Sequence, residues 1–499
     1  MEKISLSSEY EKIGNEIDKL IMRKEYEKLE SFLTKIEASV FTFDLSKCTS
    51  IFYYIGTGKS VLAGHCNEFK KTDQVLSAMS YRKQSLFYMR KALTSYKKSN
   101  CTNKSLLLSI YTNYANELGA CGRVIEALRI YRKAISIYHH FSMIIGNYGR
   151  TLNFYANIVN DDNHCKELHC YAYQSIKRSL IIHDPNMHED AVNYFSELIA
   201  KYDSLSTKEY LSYPIVFDEY DLGETEEHDY RIWCLKNHLF LNPLNDLIEQ
   251  ETAFAHDPLT ITQFTEYVDR KEVGSESNSV PPKWYSMLNQ LKEEYIYSRF
   301  LCYEGSEKIS ELHYADKDVK LSYSDYNYIN YSIRLEQLKS AFKTLFSIFD
   351  QIGFVINEFW KLGFSERTAD AAHVFGCKNY PKDNVALSAL YWSNCEFSER
   401  FGNADSASER DLKVLRNALE HKFVKVHEYD YSGNLQIEDD SFYHISEGEL
   451  KKHTLRLLEL AREWIMELVY AIDIEERKKD KGANAIELNI YDFDDKWKV

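Results

Sequence analysis

Arg416, Asn417 and His421 are residues whose types and spacing could do chemistry together. Asn417 and His421 are four apart, so on a helix they share a face. Arg416 sits one step round, but its long side chain can reach the same space. A guanidinium makes planar, bidentate contact with a phosphate. An imidazole near neutral pH can move a proton. Together they could bind and transform a phosphodiester. The bare Arg-to-His spacing also occurs from Arg178 to His183, where Ser179 follows the Arg and the next three residues are apolar. Spacing alone therefore does not single out a site, and context must.

The context begins with the helix that would carry these residues. Ser408 to Lys422 reads as a strongly amphipathic helix, with Leu412, Leu415, Leu419 and Phe423 as its buried stripe. Ser406 or Ser408 can cap its start, with acids in the first turn. Long helices are expected at 284–302, 327–362, 384–402, 408–427 and 447–478. Within 327–362, Ile333, Leu338, Phe342, Leu345, Phe349 and Ile352 form a broad apolar stripe. Residues 430–446 read as an acidic loop with Gly433 and Asp439-Asp440, and the polar tail after Lys481 adds a short extended segment at Ile486 to Tyr491.

The N-terminal part reads as helical repeats. Lys104 to Tyr138 gives Tyr111, Tyr114, Ala115 and Leu118, a turn at Gly119 to Arg123, then Ala127, Tyr131, Ala134 and Ile137. That resembles one tetratricopeptide (TPR) unit, a helix hairpin of about 34 residues. Met89 and Ala92 upstream and Gly149 downstream continue the pattern, and the helix from Glu167 to Ile182 stops before Pro185. Residues 1–200 are expected to stack about four hairpins as a short solenoid. Residues 202–230 are acidic and irregular, and 271–282 read as an exposed loop. Between them, Leu239 to Asp246 is a compact, partly apolar turn.

Composition agrees with an all-α chain. There are only 18 Gly and 7 Pro in 499 residues, about half the usual share of chain breakers, which argues against a turn-rich β sandwich. The 44% of hydrophobic residues can bury a sizeable core. A net charge of −15 argues against a nucleic-acid coat protein but leaves room for a local basic site. No apolar run of membrane-spanning length and no signal-peptide pattern is evident, so no membrane partner and a cytoplasmic location are expected. The ten Cys read as reduced, mostly buried thiols.

Other motifs fare worse. Gly56-Thr57-Gly58-Lys59-Ser60 ends like a phosphate-binding loop, but the Gly required five positions before Gly58 is Tyr53. A turn between helices is the expectation there. His164-Cys165 and His169-Cys170 lack the usual arrangement of two distant ligand couples, so they are expected to be repeat packing and not a metal site. No dinucleotide, kinase or hydrolase signature is present. No metal and no cofactor are expected.

Arg416-Asn417-Ala418-Leu419-Glu420-His421 resembles the signature of the HEPN superfamily (higher eukaryote and prokaryote nucleotide-binding domains): Arg, then usually Asn, Asp or His, then a few residues, then His. The setting is similar too, a helical bundle with the motif on a late helix and one long helix after it. The TPR-like N-terminus, the Phe240 to Asn245 segment and the helix with Leu390-Tyr391-Trp392 look like one bacterial branch of that family, and the likeness spans roughly 231–480. Together with the repeat pattern and the boundary signals, the expected organisation is a TPR-like domain at 1–202, a connecting segment and bundle prefix at 203–282, a HEPN-type bundle at 283–480 and a polar tail at 481–499.

The resemblance further implies a metal-independent endoribonuclease, a toxin or anti-phage effector regulated through the repeats, acting as a homodimer whose two motifs meet in one cleft. Arg416 would contact the scissile phosphate, His421 would be general acid or base, and Asn417 would orient the His or the phosphate. Lys413 and Lys422 would add contacts to the RNA backbone. Attack by the RNA's own 2′-hydroxyl would leave a 2′,3′-cyclic phosphate. The alternative is a non-catalytic TPR/HEPN scaffold or regulator that binds a protein or peptide in the repeat groove.

Overall fold

The computed structural model describes residues 2–40, 48–67, 72–99, 101–182, 184, 187–204, 211, 216–261, 263–267, 282–307, 313–318, 320–321, 329–365, 367–377, 380–381, 383–397, 410–429, 441–479 and 485–489. The expected loop at 271–281, the capping serines Ser406 and Ser408, and most of the acidic loop after Tyr429 lie outside them. The chain forms two compact units, one from residues 1–157 and 163–215, the other from 158–162, 216–404 and 409–499.

The first unit is helical: α1 (Glu2–Met22), α2 (Tyr26–Val40), α3 (Thr49–Asn67), α4 (Thr72–Lys98), α5 (Lys104–Ala120), α6 (Val124–Ile137), α7 (Ser142–Ala156), α8 (Asp162–Ile181) and α9 (Glu189–Asp203). The hairpin read at 104–138 is α5 and α6. Asn103 caps α5 by accepting from Leu106 N at 3.0 Å. Gly122 turns the chain with a φ of +84°, a conformation that favours Gly. Ala115, Ala127, Ala134 and Tyr131 are fully buried, and the Tyr131 hydroxyl donates to Asn116 Oδ1 at 2.7 Å. A Cβ at Gly149 would lie 2.9 Å from Ala172 O, so the small residue lets α7 and α8 touch.

Gly56 to Ser60 is neither a phosphate loop nor the expected turn. It lies inside α3. Lys59 is buried there and pairs with Glu37 at 3.0 Å. A Cβ at Gly58 would meet Leu33, so that glycine serves helix packing.

The second unit holds α10 (Glu226–Lys236), β1 (Gln263–Tyr267), α11 (Lys283–Glu307), α12 (Ile333–Trp360), α13 (Ala371–Phe375), α14 (Val385–Phe397), α15 (Arg410–His421), β2 (Phe423–His427), β3 (Phe442–Ser446), α16 (Glu447–Lys478) and β4 (Ala485–Asn489). β1 and β4 pair antiparallel, so the extended segment read in the tail is a strand. The stripe of α12 is buried from Leu338 to Ile352, while Ile333 at its start is exposed.

Helix α16 is the axis of this unit. From Leu457 to Ile472 almost every residue is buried, apart from Glu459, as expected for a helix surrounded by others. Trp464 is its anchor. Its ring meets Phe349 edge-on with centroids 4.6 Å apart, and its Nε1 donates to Ser393 Oγ at 2.7 Å. Arg462, also buried, reaches into the Leu239 to Asp246 turn. It donates to Phe240 O at 2.6 Å and Asn242 O at 2.8 Å, and pairs with Asp246 at 2.9 Å. Two asparagines of the turn cap its own backbone: Asn242 Oδ1 accepts from Leu244 N and Asn245 Oδ1 from Phe240 N. A second buried clamp joins Arg299 of α11 to Asp257 at 2.7 Å and to Leu239 O at 3.0 Å. Burial works to raise the Asp257 carboxyl, but the Arg299 charge and its hydrogen bonds outweigh it and hold that carboxyl below its ordinary range.

Breaking a buried pair by removing one partner strands the other charge and typically costs about 3–5 kcal/mol. Asp246→Ala should therefore lower the urea midpoint of this unit by that equivalent. All six Trp lie beyond residue 230, so tryptophan fluorescence reads this unit. A midpoint equal to that of the parent chain would show that the clamp is dispensable.

Candidate active site on helix α15

Helix α15 is short and sharply two-sided. Leu412, Leu415, Ala418 and Leu419 are buried, as the expected stripe requires. Phe423 is not. It is 71% exposed, because the helix stops at His421 and does not run on to 427. Lys422 N still closes on Ala418 O at 2.9 Å, and Phe423 N then donates to Ser441 O at 3.0 Å. From Phe423 the chain is strand β2, paired in parallel with β3, and the end of the expected 430–446 loop is that second strand. Phe-Val-Lys-Val-His alternates bulky and β-branched residues, a pattern suited to a pleat.

The opposite face of α15 carries the residues singled out by their chemistry. The Arg416 guanidinium lies 5.6 Å from the centroid of the Phe346 ring on α12. Its Nη1 donates to Asn417 Oδ1 at 3.1 Å, and its Nη2 pairs with Glu420 Oε2 at 3.2 Å. The same Glu420 oxygen is 3.8 Å from His421 Nε2. Glu420 thus stands between the two. His421 itself is open to solvent, its side chain 71% exposed. Lys413 is half-buried on the helix, and Lys422 is exposed just past its end.

Asp350, one turn beyond Phe346 on α12, adds a group that the sequence did not flag. Asp350 is exposed at the surface, but the atoms packed about its carboxyl push it above the ordinary value, nearby Asp370 raises it further, Arg416 opposes the shift and Glu420 adds to it. Arg416 is therefore held by the Phe346 ring and by Glu420, and its charge acts on the Asp350 carboxyl of the neighbouring helix. Glu420 was visible as the residue four after Arg416. Phe346 and Asp350 carry no local signal, because their proximity to Arg416 depends on how α12 packs on α15.

A guanidinium and an imidazole on one helix face are groups that can bind a phosphate and move a proton. Among the described residues, no group of three or more His, Cys, Asp or Glu could hold a metal ion. His169, from the His/Cys pair on α8, instead faces the Tyr202 hydroxyl at 3.0 Å. Arg178, of the repeated spacing, donates to His139 O at 3.3 Å, and His183 lies outside the described residues. No helix among the described residues is long and apolar enough to cross a membrane.

Residues 275–475 match the family described as LA2681-like HEPN. That stretch is similar to HEPN domains, and it contains α15 and its motif whole. The chain matches no curated protein and no solved structure.

The raised Asp350 carboxyl sets a sign. A folded-state value above the unfolded 3.8 means that the fold disfavours the charged form. Stability from this group is full below that pH and is lost as pH rises through the folded value. Asp350→Asn removes the charge, so it should raise the thermal midpoint at neutral pH, with the gain vanishing as pH approaches 3.8. A lower midpoint at neutral pH would show that attraction to Arg416 outweighs burial.

Proposed function

We propose that this chain is a metal-independent endoribonuclease of HEPN type. The observation that carries the reading is the HEPN match across 275–475, which includes Arg416, Asn417 and His421 on a solvent-facing helix surface. Arg416 binds the scissile phosphate and stabilises the charge that develops on it. Asn417 keeps the guanidinium in place through its Oδ1, and His421 moves the proton of the 2′-hydroxyl or of the leaving oxygen. The products are a 2′,3′-cyclic phosphate and a free 5′-hydroxyl. Lys413 and Lys422 supply further backbone contacts.

The Arg416–Glu420 pair is partly exposed, and such pairs contribute at most about 1 kcal/mol. A phosphate can displace Glu420 at small cost. Glu420 also makes an empty site electrostatically quiet, in keeping with a chain of net charge −15. Two copies related by a two-fold axis bring two motifs to one cleft. The helical unit at the N-terminus senses a partner or trigger, and the ribonuclease serves as a toxin or an anti-phage effector.

Purified protein should cut RNA in the presence of EDTA and leave cyclic phosphate ends. His421→Ala should reduce the rate by about 10²–10⁴-fold, and Arg416→Ala by about 10²–10³-fold. Cleavage equal in the parent chain and in both variants would refute the assignment. A folded dimer that neither cuts RNA nor arrests cell growth on expression would favour the scaffold reading.

A further inference from the structure

The place where α15 ends brings together a second set of groups. In the parallel register of β2 and β3, Phe423 lies beside Phe442, Lys425 beside His444 and His427 beside Ser446. Alternation puts all six on one face, and the contacts agree. The Phe423 and Phe442 rings are 5.7 Å apart. The Lys425 ammonium is 4.3 Å from the Phe442 ring centroid. His427 Nε2 and His444 Nδ1 are 2.8 Å apart.

This face is graded. His427 and Ser446 are buried at one end, whereas Phe423 at the other is largely in solvent. The open end adjoins the motif, since Phe423 lies two positions after His421 and such a step spans at most about 7 Å. At its buried end the far edge of β2 is covered, because Asn330 N donates to Val426 O at 2.9 Å. Two rings with a lysine over one of them and Lys422 alongside match what an unpaired nucleic-acid strand needs: π-faces for bases and cations for backbone. Glu428, exposed past the strand, lies at the end away from the motif.

We propose that Phe423 and Phe442, with Lys425, form a stacking platform for a base of single-stranded RNA beside the phosphate held at Arg416. The inference rests on the ribonuclease reading above and adds a base-binding subsite beside its phosphate site. A duplex keeps its bases stacked on one another and offers no free face to Phe423, so unpaired RNA is the occupant.

The test uses the full chain carrying His421→Ala, so that the RNA survives, and a fluorescein-labelled single-stranded RNA. Adding Phe423→Ala should weaken binding about 5- to 150-fold, the range for loss of one stacked base. Phe423→Trp should keep the affinity, and the emission of the introduced indole, read as the difference from the chain with Phe423, should be quenched when unlabelled RNA binds. Equal affinity in the Phe423→Ala variant, or emission of the introduced indole unmoved by bound RNA, overturns the platform and leaves the ribonuclease reading standing. No binding even with Phe423 in place removes both. If Phe423→Ala instead turns a dimer into a monomer by sedimentation, the face belongs to a second copy of this chain and the platform is overturned.

Discussion

The second unit depends on one buried charge. Arg462 sits on a helix enclosed by its neighbours, where an unpaired guanidinium would be prohibitive. Asp246 and two carbonyls of the Phe240 to Asn242 stretch neutralise and saturate it. That requirement fixes a tight turn with a short 3-10 helix at Pro243–Asp246 against the core, where backbone groups would otherwise lie orphaned. Asn242 and Asn245 complete the hydrogen bonding locally. Arg299 and Asp257 repeat the device from α11. With α16 held in place, its Trp464 organises Phe349, Phe375 and Phe397 around it, and α12 becomes a rigid floor for α15.

The candidate site inverts that logic. Arg462 is fully satisfied and has nothing left to offer a ligand. Arg416 rests on a ring and on partly exposed carboxyls that water screens. Its partners are close enough to hold its direction and weak enough to be exchanged. His421 has one carboxyl nearby and otherwise faces solvent. A rigid apolar underside with a loosely paired polar upper face is what a surface helix needs to present groups to a polyanion.

Much of this was legible in the residues. The amphipathic run of α15, the stripe of α12, the hairpin at 104–138 and the strand in the tail follow from local periodicity. The motif itself is contiguous, and so is its likeness to the HEPN signature. Phe423 shows where periodicity misleads. It continues the spacing of Leu412, Leu415 and Leu419, yet it belongs to a strand. The hydrogen-bonding partner that makes it one begins at Phe442, nineteen positions on. Gly56 to Ser60 misled in the opposite sense, since glycines that looked like a turn are packing contacts in a helix.

The sequence by itself determined the helical class, the motif and the apolar face that buries α15, because these depend on residues within a turn or two of one another. Tertiary structure alone decided that Phe346 lies against Arg416 with Asp350 within reach of its charge, that the helix ends at His421 with an aromatic ribbon after it, and that Asp246 meets Arg462 from 216 positions away. Such pairings carry no local signal. They are chosen by which buried charges and backbone groups must find partners once the core has closed.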